Sequence, residues 1–341
     1  HLSDSYNLVR KARILPQYLK GGECGLLNNM KKSLEIAVTP WSRGNLGLAS
    51  ELTSQAEIAE NLGCHSFWLP ENHFGDARST PSPLTLLAAV AACTSKIKLG
   101  SISYLLPIRH PLQAAEEVAV LDRLSGGRVI LGVGRGTQQA MFDAFDVLTK
   151  DKRSRFAANL ETMTNAWRGE PIGWDNSTSE PSPIKLAPLP VQSPHPPIWV
   201  AAFGPLALKQ AGSLGLPYLA SPIETLDTLS QNYARHQQFA TAAGHAPITT
   251  VPIMRTVFIS HRVAECRQVK AAMAATGPHS MRDQSADIDD WSIVGDASYV
   301  RDKIQEYRTR LGVTHMIVRG RVPGVTDQTW LTSLEKLVAA Q

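Results

Sequence analysis

Short apolar runs alternate with longer amphipathic stretches from residue 34 to the end of the chain, and this alternation constrains the fold more than any other feature. The apolar run at residues 34–39 precedes a helical pattern at residues 50–62, and the run at residues 66–70 precedes a second helical pattern. Uniformly apolar runs of this length are typical of strands that are buried on both faces and connected by crossover helices. The pattern predicts an α/β protein with a parallel sheet.

The alternation repeats often enough to close a barrel. The predicted strands cover residues 34–39, 66–70, 97–105, 128–133, 198–202, 218–220, 249–259 and 314–319. Because no shift in composition marks a linker between them, a single (β/α)8 TIM barrel is favoured over an open doubly wound sheet.

Two polar stretches interrupt this repeat. One follows the fourth strand at residues 171–197, and the other follows the seventh at residues 277–290. Loops of this length inside a compact domain are usually functional or mobile, so both are predicted to be excursions from the barrel. The first is either a lid over the strand ends or a passive surface loop.

The basic charge of the chain is concentrated at its beginning. The net charge of +4 arises within residues 1–32, where six basic residues stand against two acidic ones. The remainder is neutral, which argues against a nucleic-acid-binding surface. Residues 1–29 show no sustained periodicity, so they are predicted to be an N-terminal extension, disordered or non-native, ahead of one domain at residues 30–341.

Several classes of protein are excluded because their motifs are missing. The four cysteines lie far apart, without a disulfide framework or metal-binding spacing, which indicates reduced thiols in a cytoplasm. No apolar run reaches the roughly 18 residues that span a bilayer. We expect residues 1–29 not to be a secretory signal, because they lack the apolar stretch and cleavage site of such a signal. The motifs HExxH and GxSxG and the P-loop are absent, so we expect a cytoplasmic protein without a metal site.

Two strand-to-helix turns are candidate anion sites, because the chemistry of such barrels lies at the carboxyl ends of the strands. Residues 129–136 run from a buried strand into a glycine-rich turn, although Thr137 breaks the pattern GxGxxG. Arg135 in this turn either binds a phosphate bidentately or pairs with a surface carboxylate. The turn at Phe203 and Gly204, ahead of Pro205, either adds backbone amides to the same site or is purely structural.

The second strand ends in three polar side chains, Glu71, Asn72 and His73. A carboxylate, an amide and an imidazole at one strand end can hydrogen-bond a polar heterocycle or carry out acid–base chemistry. A purely structural histidine is the alternative.

Residues 99–136, LGSISYLLPIRHPLQAAEEVAVLDRLSGGRVILGVGRG, closely resemble the core signature of the bacterial luciferase-like flavin-dependent monooxygenases. The segment WLPENHF at residues 68–74 is similar to the second-strand motif of this family. The segment PHPPIWV at residues 194–200 and the pair Gly295-Asp296 are similar to further family segments. The resemblance covers residues 33–340 and implies one luciferase-like barrel.

The resemblance also implies an FMN site. Arg135 and the amides near Phe203 and Gly204 would hold the phosphate, and Asn72 and His73 would face the isoalloxazine ring. At the turn Ile102-Ser103 the family bends its third strand, often through a non-prolyl cis peptide bond. The full predicted cofactor-binding set is Thr39, Glu71, Asn72, Ile102, Ser103, Arg135, Gly136, Phe203 and Gly204.

Two departures from the family pattern affect the implied activity. Asn72 stands where the luciferases have their catalytic histidine, and Gly134 stands where they have a reactive cysteine. Light emission is therefore not expected, and His73 and Asn72 become the predicted catalytic residues.

The resemblance implies a homodimer that receives reduced FMN from a separate flavin reductase and uses O2 to oxidise a small organic substrate such as an aldehyde or alkane. A coenzyme F420-dependent hydride-transfer enzyme is one alternative, since it shares the barrel. A flavin-binding paralogue without turnover is another.

Overall fold

The computed structural model describes residues 33–42, 49–75, 79–172, 184–276 and 286–340. The predicted N-terminal extension lies outside these ranges, as do residues 173–183 and 277–285 of the two predicted excursions. The described part of the first excursion is anchored to the protein surface, since the Asp122 carboxylate accepts hydrogen bonds from the Val191 and Gln192 amides. None of residues 184–197 lines the cavity that opens at the carboxyl ends of the strands.

The described strands form one sheet in which every pairing is parallel. They are β1 (Glu35–Val38), β2 (Ser66–Leu69), β3 (Lys98–Ser101), β4 (Tyr104–Leu105), β5 (Val129–Gly134), β6 (Ile198–Ala201), β7 (Tyr218–Leu219), β8 (Pro252–Ile259), β9 (Ser292–Gly295) and β10 (His315–Val318). Every residue of β5 and β8 is buried. Burial on both faces explains the uniformly apolar runs in the sequence.

Helices connect successive strands and cover the outside of the sheet, as the sequence predicts. They are α1 (Ala49–Asn61), α2 (Pro83–Cys93), α3 (Pro111–Leu124), α4 (Gln139–Ala144), α5 (Lys152–Trp167), α6 (Pro205–Ser213), α7 (Leu226–Ala242), α8 (Val263–Ala275), α9 (Ile288–Trp291), α10 (Ala297–Leu311) and α11 (Asp327–Ala339). Proline at the first position starts α2, α3 and α6, where its missing amide hydrogen costs no helical hydrogen bond.

The strand order is β7-β6-β5-β3-β2-β1-β10-β8-β9, with β4 pairing with β5 beyond the end of β3. All eight predicted strands therefore form, and the third is divided into β3 and β4. The prediction missed β9, which extends the sheet by pairing with the second half of β8. The α/β class and a curled parallel sheet are confirmed.

Side chains, rather than a backbone ladder among the described residues, connect β7 to β8. The Tyr233 hydroxyl of α7 lies 3.2 Å from the carbonyl oxygen of Tyr218 in β7 and 2.6 Å from that of Pro252 in β8. Arg255 of β8 is completely buried and donates to the carbonyl oxygens of Ser221 and Glu224, which follow β7. These contacts hold the two edges of the curled sheet together.

Aromatic side chains fill the interior below the carboxyl ends of the strands. Trp68 of β2 stacks on Trp199 of β6 with ring centroids 4.9 Å apart. Gly100 makes room for Trp68, because a Cβ atom there would lie 2.2 Å from the indole ring. A Cβ atom at Gly132 would lie 3.2 Å from Trp68 and 2.0 Å from the Ser101 carbonyl oxygen. The interior is thus a packed core, and the open space lies at the strand ends.

Candidate functional site

A cavity of about 1150 Å³ opens at the carboxyl ends of the strands. This volume suits a cofactor-sized ligand together with a small second molecule. The structure brings every predicted site residue into its wall: Thr39, Glu71, Asn72, His73, Ile102, Ser103, Arg135, Gly136, Phe203 and Gly204. Their placement agrees with a shared site, while their individual roles remain predictions.

Three cations cluster on one side of the cavity. Arg135 follows β5, and Lys152 and Arg153 begin α5. Burial, together with the charge of Arg153, lowers the pKa of Arg135, and burial with both arginine charges lowers the pKa of Lys152. No carboxylate among the described residues forms an ion pair with any of the three. The alternative that Arg135 pairs with a surface carboxylate is thus not observed.

The N-terminus of α6 lines the same side of the cavity. Gly204 precedes the helix with a φ of 93°, which favours glycine, and no side chain caps the helix. The first amides of an α-helix lack intrahelical partners and carry partial positive charge. Because β5 and β6 are hydrogen-bonded neighbours, the turns after them lie side by side. The helix terminus and the cations together form an anion-binding wall.

Glu71 is fully engaged by the protein. Its buried carboxylate oxygen Oε1 lies 2.7 Å from both Arg109 Nη1 and His73 Nε2, and its Oε2 accepts a hydrogen bond from the Leu105 amide. These contacts suit Glu71 to position its neighbours, and its predicted contact with a cofactor stays a prediction. The hydrogen bond to Glu71 favours the His73 tautomer that carries its proton on Nε2, and Nδ1 forms no hydrogen bond among the described residues.

Asn72 and His73 offer different chemistry to the cavity. The Asn72 side-chain oxygen lies 2.9 Å from the Thr80 amide and 2.6 Å from the Thr80 hydroxyl. Its amide nitrogen forms no hydrogen bond within the described ranges and can donate to a ligand. An amide side chain neither takes up nor releases a proton near neutral pH, so of these two side chains His73 is the one able to carry acid–base chemistry. Its ring packs edge-on against Phe145, with ring centroids 5.0 Å apart.

Ser103 occupies the space beside Gly134. The peptide bond between Ile102 and Ser103 is cis, as the resemblance implies. A Cβ atom built on Gly134 would lie 2.0 Å from the Ser103 hydroxyl oxygen. The departure from the luciferase pattern at position 134 is therefore structurally coupled to Ser103.

Sequence reasoning missed four cations of the cavity wall, namely Lys152, Arg153, Arg319 and Arg321. Lys152 and Arg153 carried a signal, since basic residues in the first turn oppose the helix dipole unless an anion lies nearby. Arg319 directly follows the apolar run of β10, and its half-buried guanidinium lines the cavity. A charged residue at a strand end is equally consistent with a solvent-exposed position, so the sequence alone does not predict that Arg319 lines the cavity.

Residues 36–315 match the sequence model of the luciferase-like monooxygenases. The chain belongs to this family. The family prediction made from residues 68–74 and 99–136 is thereby confirmed. In the described ranges, this luciferase-like protein has no cluster of three or more side chains suited to holding a metal ion. None of the described helices is both long and apolar enough to span a membrane.

Relatives of this luciferase-like protein include flavin-dependent enzymes. The oxygenase component of a flavin-dependent trigonelline monooxygenase from Acinetobacter baylyi is 29% identical over 184 residues, which are 53% of this chain and 50% of the relative. The chain spans about half the length of the curated relatives it matches. Family membership supports an oxidoreductase, whereas these partial matches leave the substrate open.

Two solved structures share the fold. The FMN-bound oxygenating constituent of 3,6-diketocamphane monooxygenase from Pseudomonas putida superposes with a TM-score of 0.76 at 21% identity, covering 90% of this chain and 97% of the other. A coenzyme F420-dependent tetrahydromethanopterin reductase from Methanopyrus kandleri gives a TM-score of 0.70 at 21% identity, covering 91% and 99%. The fold thus accommodates either class of protein.

Proposed function

We propose that this protein is the oxygenase component of a two-component FMN-dependent monooxygenase. In this proposal it uses reduced FMN and O2 to oxidise a small organic substrate. The observation that carries the proposal is the cluster of Arg135, Lys152 and Arg153 beside the N-terminus of α6, which forms no ion pair with any carboxylate in the described part of the chain. We further propose a closed-barrel homodimer in the cytoplasm, with a separate reductase as its partner.

The cation cluster fits a phosphate monoester. Such a group carries a charge of about −1.5 to −2 near neutral pH. Arg135 can take two of its oxygens bidentately, while Lys152 and Arg153 neutralise the remaining charge. The amides at the start of α6 can donate hydrogen bonds to a third oxygen. This donor set matches the terminal phosphate of FMN.

The wall next to the cation cluster fits a ring and a reacting substrate. Leu105 and Met141 contribute apolar surface that excludes water, and Asn72 offers an amide donor. Bound FMN would supply the redox chemistry. His73, fixed by Glu71, can accept a proton from the substrate or donate one to it at Nδ1. Glu71 holds the imidazole in place, and Arg109 in turn holds the Glu71 carboxylate.

The F420 alternative is a second candidate, because F420-dependent enzymes share this fold. Titrating the purified protein separately with FMN and F420, and recording the absorbance of the bound cofactor, distinguishes the two. The proposal expects saturable FMN binding and weaker or no F420 binding. Tighter binding of F420 than of FMN contradicts it.

Turnover is a separate question from binding. With chemically reduced FMN, the proposal expects oxygen consumption and a monooxygenated product for at least one member of a panel of aldehydes, alkanes and organic acids. The control is reduced FMN without protein. Tight FMN binding without any product across the panel favours the flavin-binding paralogue without turnover.

A further inference from the structure

The cavity carries positive charge on two separate sides. Arg135 follows β5, whereas Arg319 follows β10. The strand order β5-β3-β2-β1-β10 places these two ends four strand positions apart. Neighbouring strands lie about 4.8 Å apart, so the path along the curled sheet between these two strand ends is roughly 19 Å. The two guanidinium groups therefore extend into the cavity from different parts of its wall.

Arg319 lacks a counterion in its surroundings. Within the described ranges its guanidinium forms neither an ion pair nor a hydrogen bond, although its backbone amide donates to the Arg255 carbonyl oxygen. Burial lowers the pKa of Arg319, and no carboxylate offsets this effect. The carboxylate in the described cavity wall belongs to Glu71, which Arg109 and His73 already engage.

The charges of the cavity wall exceed what a phosphate neutralises. Arg135, Lys152 and Arg153 suffice for a phosphate of about two negative charges. The positive charge of Arg319 is not needed to neutralise that phosphate. Arg321 lines the same cavity. A half-buried guanidinium without a partner is unfavourable until an anion reaches it, and its planar donor fork matches a carboxylate.

We propose that Arg319 binds a carboxylate of the organic substrate, so that this enzyme acts on small organic acids rather than on neutral aldehydes or alkanes. The proposal rests on the proposed function, in which FMN occupies the Arg135 side. The Arg319 side then selects the second ligand and orients it across the ring. Arg319 is accordingly a residue that determines substrate specificity.

The test compares carboxylates with uncharged amides of the same skeleton. Benzoate with benzamide, and hexanoate with hexanamide, are titrated into FMN-saturated protein by calorimetry. Wild type should bind a carboxylate at least tenfold more tightly than its amide. Arg319→Met should remove this preference, while Arg319→Lys should keep part of it, because lysine retains the charge without the planar fork. Arg168→Met, an exposed arginine outside the cavity, is the matched control.

The remaining outcomes separate this proposal from the proposed function. If no carboxylate is preferred by wild type, or if Arg319→Met retains the preference, the assignment of Arg319 is wrong. If Arg319→Met instead weakens FMN affinity tenfold without affecting benzoate, Arg319 serves the cofactor and the assignment is again wrong. If Arg135→Met leaves FMN affinity unchanged, the phosphate site fails. Circular dichroism and thermal melting verify that each variant is folded.

Discussion

At the scale of single residues, His73 is the proposed acid–base group. Replacing it with glutamine keeps a polar side chain but removes the ring nitrogen that exchanges protons. We expect His73→Gln to lower the turnover number about 10²- to 10⁴-fold, with FMN affinity changed less than about threefold. Single-turnover product formation at saturating reduced FMN measures this effect. His245→Gln, an exposed histidine outside the cavity, is the matched control and should retain wild-type turnover.

Gly134 and Ser103 provide a second prediction at this scale. Because a Cβ atom at position 134 would overlap the Ser103 hydroxyl oxygen, Gly134→Ala should destabilise the protein by about 1–3 kcal/mol. Removing the obstructing side chain in the double variant Gly134→Ala with Ser103→Gly should recover part of this loss. Urea unfolding of the two single variants and the double variant gives the coupling energy. Strictly additive effects would show that the two positions do not compete for space.

At the scale of elements, the connection between β7 and β8 depends on side chains. Tyr233→Phe removes the hydroxyl that bridges these strands. We expect a loss of about 1–2 kcal/mol in the free energy of unfolding, because a buried carbonyl oxygen loses its donor. Urea unfolding measures the loss, and hydrogen exchange should locate faster opening at β7 and β8. Unchanged stability and exchange would mean that the Tyr233 hydroxyl does not hold β7 and β8 together.

The sequence predicts elements well wherever burial is complete and less well elsewhere. β5 and β8 are buried along their whole length, so their apolar runs identify them directly. β9 was missed because it has only four residues, which lie between a polar stretch and the helix that follows almost immediately. The bridges made by Tyr233 and Arg255 could not be predicted, because residue types do not reveal which distant carbonyl a side chain reaches. The strand-end turns were predictable from their glycines, whereas Arg319 resembled a solvent-facing residue.

At the scale of the whole molecule, two histidines make stability depend on pH. His65 and His315 face each other with ring centroids 5.0 Å apart, and His315 also contacts Trp199. Burial, with a contribution from Lys98, lowers the pKa of His65 from 6.5 to about 4, and burial, with the charge of His65, lowers the pKa of His315 from 6.5 to about 4. Between these values the unfolded chain binds more protons than the folded protein, so stability falls as the pH decreases from 6.5 toward 4.

We therefore expect the free energy of unfolding to fall at acidic pH, and we expect replacement of one of these histidines to reduce this fall. The loss should be on the order of 2–3 kcal/mol per histidine between pH 7 and pH 4. His65→Gln should flatten the dependence, because it removes one group that must remain neutral in the folded state. Urea unfolding at pH 7.5, 6, 5 and 4.5 measures it, with His245→Gln as the exposed control. An equally steep pH dependence in His65→Gln would assign the acid sensitivity to other groups.

The whole-molecule account depends on a phosphate held between the turns after β5 and β6. The most direct measurement is the ratio of FMN affinity to riboflavin affinity, because the two ligands differ only in the phosphate. Wild type should prefer FMN by at least about 100-fold, and Arg135→Met should reduce this ratio about 10- to 100-fold while leaving riboflavin affinity unchanged. Equal affinity for both ligands in wild type, or an unaltered ratio in Arg135→Met, would contradict the account.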